Sequence, residues 1–377
     1  MALSTDERTR YHRQLNLPEF GLAGQERLKA ARILIVGTGG LGCPAALYLA
    51  AAGVGTIGLV DFDRVELSNL QRQVLFTSDD VGRLKVEAAR ERLLALNPEV
   101  SVLAHAVALR AHNVREVLKD YDIVLDGSDR LGTRYLVGDA CVLLGKPLVT
   151  AAIHRFEGQA MTCVPSQGPC YRCLFPQGPE GEVESCAEAG VLGVLPGVLG
   201  ALQASEAVKL ATGVGTPLSG RLLTYDALDL RFTELPVSRR VDCPVCGEHP
   251  RITAPQEMPG ILEAAATRTA QRLSPRDLRD LMNTSRTDAP AFVLIDVREP
   301  WEFHARHLEQ ARNIPLGELE GRLAEWAGEG NPVFICRSGQ RSLVACALAL
   351  RAGIGSPGHL EGGLLAWGDQ IDPNFTM

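Results

Sequence analysis

Residues 32–36, Arg-Ile-Leu-Ile-Val, form a short apolar run that stops at Gly37, and the pattern predicts a buried strand. A small-residue helix is expected from Leu41 to Ala52 and a second buried strand from Ile57 to Val60. Strand-like runs recur at 122–125 and 147–151, with helical spacing at 81–96 and 130–144. Strands alternating with helices predict an α/β fold with a mostly parallel sheet covered on both faces. Beyond residue 155 shorter strand signals at 158–164 and 221–226 flank an uncharged, glycine-rich stretch between Glu188 and Glu206. This reads as a buried helix and its approach inside an antiparallel extension of the same sheet. Pro196 interrupts it, and it falls short of the roughly 20 apolar residues of a membrane span.

The pattern weakens over 247–272, where Pro250, Pro255, Pro259 and Gly260 stand with little apolar periodicity; a short helix from Ile261 to Gln271 is the only exception. From Leu273 a second, smaller α/β unit begins, with Ser274-Pro275-Arg276-Asp277 as a helix start. Strands at 292–295 and 332–335 alternate there with helices near 317–326 and 340–352. The expected organisation is a first domain over 1–250, a linker over 251–272 and a second domain over 273–377.

A chain of 377 residues, 46% hydrophobic and 22% charged, suits two globular domains rather than one. The net charge of −7 argues against a nucleic-acid partner, which needs a dense basic face. The first residues, Met-Ala-Leu-Ser-Thr-Asp-Glu, lack the pattern of an export signal, so a cytoplasmic location and no membrane partner are expected. In that setting ten cysteines point to metal or thiol chemistry rather than to disulfides. The eight histidines form no ligand cluster.

Gly37-Thr38-Gly39-Gly40-Leu41-Gly42 lies between a strand and a helix, where glycine lets backbone approach a phosphate and the helix start favours negative charge. Asp61, at the end of the next strand, is placed to accept hydrogen bonds from a ribose. These residues alone favour a nicotinamide enzyme. The cations Arg13, Arg72 and Lys85 shift the balance, because a triphosphate needs them and hydride transfer does not. Asp129 offers one carboxylate to a Mg2+ ion that bridges phosphates. Asp63 suits a turn as well as it suits nucleotide contact.

The stretches Arg10-Tyr-His-Arg-Gln14, the glycine loop, Asp61-Phe-Asp63, Ser68-Asn69-Leu70-Gln71-Arg72-Gln73, Gly82-Arg-Leu-Lys-Val-Glu87, Cys170-Tyr-Arg-Cys173 and Cys243-Pro-Val-Cys246 together resemble the E1-like adenylyltransferases of the MoeB/ThiF type, from about Arg10 to Gly247. The resemblance implies that ATP adenylates the C-terminal glycine of a ubiquitin-like sulfur carrier ending in Gly-Gly. It assigns the nucleotide to Gly40, Asp61, Ser68, Asn69, Leu70, Gln71, Arg72, Lys85, Asp129 and Arg130, with Asp61 on the ribose, Arg72 and Lys85 on the phosphates and Asp129 on the Mg2+. Arg72 and Asp129 are the catalytic pair. Arg13 would reach across a homodimer interface into the partner's site. Arg130 departs from the family, which carries Asn there. Cys186, in Glu-Ser-Cys-Ala-Glu, matches a cysteine that bonds the activated carrier in related enzymes, although its acidic neighbours do not favour a thiolate.

The pairs Cys170/Cys173 and Cys243/Cys246 have the spacing of a closed four-thiolate Zn2+ site. One such pair alone would serve equally as a redox couple. In the second unit Cys336-Arg337-Ser338-Gly339-Gln340-Arg341-Ser342 puts a thiol at the mouth of a helix between two arginines, which favours a thiolate or persulfide anion. With Leu294-Ile-Asp-Val-Arg-Glu-Pro-Trp-Glu-Phe303, Asn313-Ile-Pro-Leu316 and Leu360-Glu-Gly-Gly-Leu-Leu-Ala-Trp367, residues 273–370 resemble a single-domain rhodanese. A cysteine phosphatase spaces its cysteine and arginine more widely. Cys43, Cys141, Cys163 and Cys346 fall in apolar patterns and read as inert core.

The expected function is adenylation of a carrier followed by sulfur transfer from a Cys336 persulfide, the sulfur coming from a cysteine desulfurase or thiosulfate. The alternatives are an NAD-dependent oxidoreductase with an appended sulfurtransferase, and a scaffold whose second domain does not turn over.

Overall fold

Eight strands build the sheet of the first unit: β1 (Arg32–Val36), β2 (Thr56–Val60), β3 (Ser101–His105), β4 (Ile123–Asp126), β5 (Leu148–His154), β6 (Glu157–Cys163), β7 (Arg221–Asp226) and β8 (Arg231–Pro236). Their order is β3-β2-β1-β4-β5-β6-β7-β8, parallel from β3 to β5 and antiparallel from β5 to β8. The computed structural model describes residues 2–176, 190–257, 270–284, 292–323 and 331–375. Those up to 257 belong to this compact unit, and those from 270 onward form a second.

β1 is apolar throughout because both of its faces are covered. Ile33 and Ile35 pack with Leu49, Val86 and Ala207 on one side; Leu34 and Val36 pack with Leu118, Leu136 and Val137 on the other. The helices supplying that cover are Gly42–Ala52, Lys85–Leu96 and Leu195–Thr212 on the first side and Val114–Leu118 and Leu131–Leu143 on the second. The uncharged stretch thus contributes the long helix Leu195–Thr212, which starts on Pro196 in its first turn and stops at left-handed Gly213.

The second unit has a five-stranded parallel sheet in the order β11-β10-β12-β13-β9, made of β9 (Gln271–Leu273), β10 (Phe292–Asp296), β11 (Arg312–Asn313), β12 (Asn331–Ile335) and β13 (Gly358–Leu360). The expected helix start at Ser274 is present: its hydroxyl accepts from Asp277 N at 3.2 Å. Most of the stretch expected to link the units, and the short helix foreseen there, lies outside the described residues.

Candidate active site

In the first sheet the chain leaves β1 toward β2 on one side and leaves β4 toward β5 on the other, so the crevice at the carboxyl ends of β1 and β4 is a topological switch point. The glycine loop follows β1, and the Gly127-to-Arg130 loop follows β4. The helix after the first loop starts at Gly42, where any Cβ would overlap the Gly37 carbonyl oxygen. Only glycine lets the loop fold back so tightly.

Contacts draw the sequence motifs to this crevice. Asp61, nearly buried, accepts from Thr38 N at 2.8 Å, Thr38 Oγ1 at 2.9 Å and Asp63 N at 2.9 Å. Its carboxylate thereby ties the glycine loop to the end of β2. Lys85 is buried and reaches Asp63 Oδ2 at 3.4 Å. Arg72 passes over the loop, its Cδ at 3.6 Å from where a Cβ on Gly40 would lie, while its Nη1 donates to Ser68 O at 3.1 Å. Asn69 is buried and its Oδ1 accepts from Glu66 N at 3.2 Å; Leu70 is half-buried, and Ser68 and Gln71 are exposed. Asp129 and Arg130 are exposed, and the Arg130 guanidinium stands 5.0 Å from the centre of the Phe62 ring. The residue that departs from the family pattern thus packs on the Asp-Phe-Asp segment. Arg13 is exposed on the short helix His12–Leu15. Cys186 lies outside the described residues.

Three neighbours are not among the expected site residues. Pro196, at the start of the long helix, sits 3.1 Å from the Cβ position of Gly40. Arg134, buried, donates to Ser128 O at 2.6 Å and so braces the loop that carries Asp129. Gln73 is buried with its Oε1 unpaired.

The four cysteines of the two pairs converge. Sulfur separations are 3.8 Å for Cys170–Cys173, 3.5 Å for Cys170–Cys243 and 3.4 Å for Cys173–Cys246. A tetrahedral ion with bonds of about 2.3 Å needs edges of about 3.8 Å, so the set fits Zn2+. All four sulfurs lie within 4.8 Å of one another. Burial and the neighbouring thiols push Cys170 up, whereas backbone N–H groups of Cys246 and Val245 overcome burial and hold Cys243 below its ordinary value. A cation between the sulfurs resolves that conflict. Burial pushes Cys43, Cys163 and Cys346 up to about 12 and raises Cys141 as well, in keeping with inert core thiols.

In the second unit Cys336 follows β12, next to β10, again where connections diverge to opposite sides. Its sulfur is buried and accepts from Gly339 N at 3.1 Å and Ser342 N at 3.4 Å. Gly339 has φ of +90°, a left-handed turn that aims its N–H inward and starts the helix Gln340–Arg351. The Asp296-Val-Arg-Glu-Pro-Trp-Glu302 signature gains a physical meaning here. Arg298 is buried in an ion pair with Asp296 at 2.6 Å, and Glu302 holds Arg341. The sequence pattern sets Arg337 and Arg341 on either side to favour the anion; the structure pairs Arg341 with Glu302.

The profile of the ThiF family matches residues 11–245, and that of the rhodanese-like domain matches 274–370. The first match alone spans well over half of the chain. The chain belongs to the ThiF family. It is 43% identical to the probable adenylyltransferase/sulfurtransferase MoeZ of Mycobacterium tuberculosis, over 100% of this chain and 96% of that protein. A sulfur carrier protein adenylyltransferase of Thermus thermophilus is 56% identical over 66% of this chain and 94% of its own length. Among solved structures, E. coli MccB with ATP superposes with a TM-score of 0.56 at 26% identity, covering 65% of this chain and 75% of that one. This ThiF-family chain is accordingly an enzyme of adenylyl and sulfur transfer with the expected α/β fold, and the oxidoreductase and scaffold alternatives find no support. Among the described residues no helix is long and apolar enough to cross a membrane.

Proposed function

We propose that the first unit, over residues 1–250, uses ATP with Mg2+ to adenylate the C-terminal glycine of a ubiquitin-like sulfur carrier ending in Gly-Gly, and that the second, over 273–377, supplies the sulfur on Cys336. The observation that carries this is that Asp61 and Arg72 meet the glycine loop while Lys85 reaches Asp63 beside it, in a chain that also sets Cys336 in a nest of N–H groups. A carboxylate oxygen of the carrier attacks the α-phosphorus, and pyrophosphate leaves with its charge neutralised by Arg72 and Lys85. Asp61 holds the ribose, Gly40 and the Ser68-to-Arg72 segment frame the phosphates, and Asp129 offers its carboxylate to the Mg2+. Arg130 borders the nucleotide, and Arg13 enters from the other subunit of a homodimer.

The Cys336 persulfide then attacks the acyl carbon and AMP leaves, giving an acyl disulfide. A thiolate, Cys186 or an external thiol, attacks the Cys336 sulfur. That releases the carrier thiocarboxylate and leaves a disulfide for a cellular thiol to reduce. Zn2+ on the four cysteines is structural, since a closed four-sulfur site has no open position. A cysteine desulfurase or thiosulfate reloads Cys336, and the work is done in the cytoplasm.

The test incubates the full chain with ATP, Mg2+, thiosulfate and purified carriers. Pyrophosphate exchange should require a carrier and fall at least tenfold in Asp129→Ala, about 1.4 kcal/mol or more of lost transition-state stabilisation. Cys336→Ala should keep exchange and lose the replacement of oxygen by sulfur on the carrier. Exchange lost in Cys336→Ala, or nucleotide binding confined to NADH, sinks the reading.

A further inference from the structure

Cys336 is followed by two arginines whose surroundings differ. Arg341 Nη1 and Nη2 donate to Glu302 Oε2 and Oε1 at 2.6 and 2.8 Å, and the pair is only 15% and 12% exposed. Glu302 Oε2 also accepts from Glu299 N at 3.1 Å, so one carboxylate both closes the first turn of the helix Pro300–Ala305 and grips the sulfur loop. Arg337 is half-buried and has no ion pair or side-chain hydrogen bond among the described residues. Of the other charges at the ends of the neighbouring strands, Asp296 and Arg298 are paired with each other, and Glu361, just past β13, pairs with Arg272 at 3.5 Å. The helix Gly363–Gln370, which packs against the loop through Leu364 N on Cys336 O at 2.8 Å, brings no charge in its first turn.

We propose that Glu302 is a positioning residue of sulfur transfer: by taking up the charge of Arg341 it fixes the 336–342 loop around the sulfur and leaves Arg337 as the cation that receives an anionic sulfur donor. This rests on Cys336 being the sulfur carrier. With a thiosulfonate-type donor, the Cys336 thiolate attacks the outer sulfur and the sulfur–sulfur bond breaks. Sulfite leaves with the electron pair, and Cys336 keeps a persulfide anion. Before attack the site must hold a thiolate and the donor's negative group together. Arg337, half-buried one residue after Cys336, is the cation left for that. A second free guanidinium would bind the product anion as strongly as the donor, which lowers KM without helping turnover. The bidentate clamp removes that second charge and stiffens the loop whose N–H groups meet the sulfur.

The experiment uses the full chain and two readings. One is the pH dependence of iodoacetamide alkylation at Cys336, followed by peptide mass spectrometry. The other is thiosulfate-to-cyanide sulfur transfer, resolved into kcat and KM. In Glu302→Gln the freed Arg341 should move the alkylation midpoint down by about one pH unit and lower KM while kcat falls about tenfold. In Arg341→Gln the unpaired Glu302 should move the midpoint up. The double variant with Gln at both positions restores a neutral hydrogen-bonded pair, and its midpoint should return to that of the unchanged chain. Arg337→Gln should raise KM for thiosulfate about tenfold and flatten its salt dependence. Midpoints that stay put in both folded single variants, or a double variant that fails to return, overturn the proposal. If Glu302→Gln does not fold, Glu302→Asp carries the test: it keeps the charge, so kcat should fall with the midpoint unmoved, and a shifted midpoint overturns the idea. Transfer that survives Cys336→Ala would instead overturn the assignment of the sulfur carrier itself.

Discussion

The Arg172 guanidinium is bidentate on the Asp139 carboxylate, Nε to Oδ1 at 2.7 Å and Nη2 to Oδ2 at 2.8 Å, with its carbon 4.6 Å from the centre of the Tyr135 ring. Arg172 sits between Cys170 and Cys173, and Asp139 belongs to the helix Leu131–Leu143, so the pair anchors the first cysteine pair to the helix that follows the Asp129 loop. Both side chains are almost fully buried, at 8% and 2% exposure. Replacing Asp139 by Ala strands a buried cation and should lower the stability of the first unit by about 3–5 kcal/mol. Urea unfolding followed by tryptophan-independent circular dichroism checks this; an unchanged midpoint would show that the pair is relaxed by water.

Metal removal should act on the fold before it acts on chemistry. Chelation or Cys243→Ser should lower the melting temperature of the first unit and leave the transition of the second in place. Metal analysis should give one zinc per chain. If adenylation stays lost after the zinc is stripped and Mg2+ is restored in excess, at a temperature where the circular dichroism is intact, a purely structural ion is ruled out.

Alkylation should sort the thiols by burial. Cys43, Cys163 and Cys346 are pushed up to about 12 by desolvation, so at pH 8 only about one molecule in ten thousand carries the thiolate at any of them. Native treatment with iodoacetamide should leave these three unmodified, and denaturant should make all three react. Labelling of any of them in the native chain at the rate of a free thiol would contradict the packing.

Acid should weaken the second unit through His359. Its ring is buried on β13, between Arg272 of β9 and Phe334 of β12 in register, and neither ring nitrogen has a hydrogen-bond partner. Burial lowers its pKa from 6.5, Arg272 lowers it further, and Glu361 opposes them. The unfolded chain therefore takes up the proton first. Stability from this group is full above the ordinary value and is lost as pH falls through it, by at most about 1.4 kcal/mol per pH unit. His359→Phe should flatten that slope between about pH 7 and pH 5 in denaturant titrations of the full chain. An equally steep slope in the variant would place the effect elsewhere.

The central strands were legible because burial on both faces leaves one kind of sequence: Arg32–Val36 and Thr56–Val60 are nearly continuous apolar runs. The edges were not. β3 has a single buried position, Val102, and β8 has none, so neither carries a periodic signal to read. β9, β11 and β13 are at most three residues long, below the window in which alternation can be recognised. The same division runs through the site. Glycines, cysteines and spaced cations announce themselves, whereas Pro196 reaches Gly40 only through the tertiary fold. Arg341 was visible as a charge beside Cys336, but its partner Glu302 lies 39 residues away and nothing local marks the pair.

Cys170 pairs with Cys243 and Cys173 with Cys246, each across 73 residues. An ion shared by the four thiolates closes that whole span into a ring, with the long helix Leu195–Thr212 and the hairpin of β7 and β8 inside it. One backbone cut within the ring leaves both fragments knotted to the same ion. A proteolysed chain would then migrate as two pieces on a denaturing gel yet elute as a single species under native conditions, the ion adding a tether to the β6–β7 ladder that also spans the cut, and stripping the ion should loosen the pair.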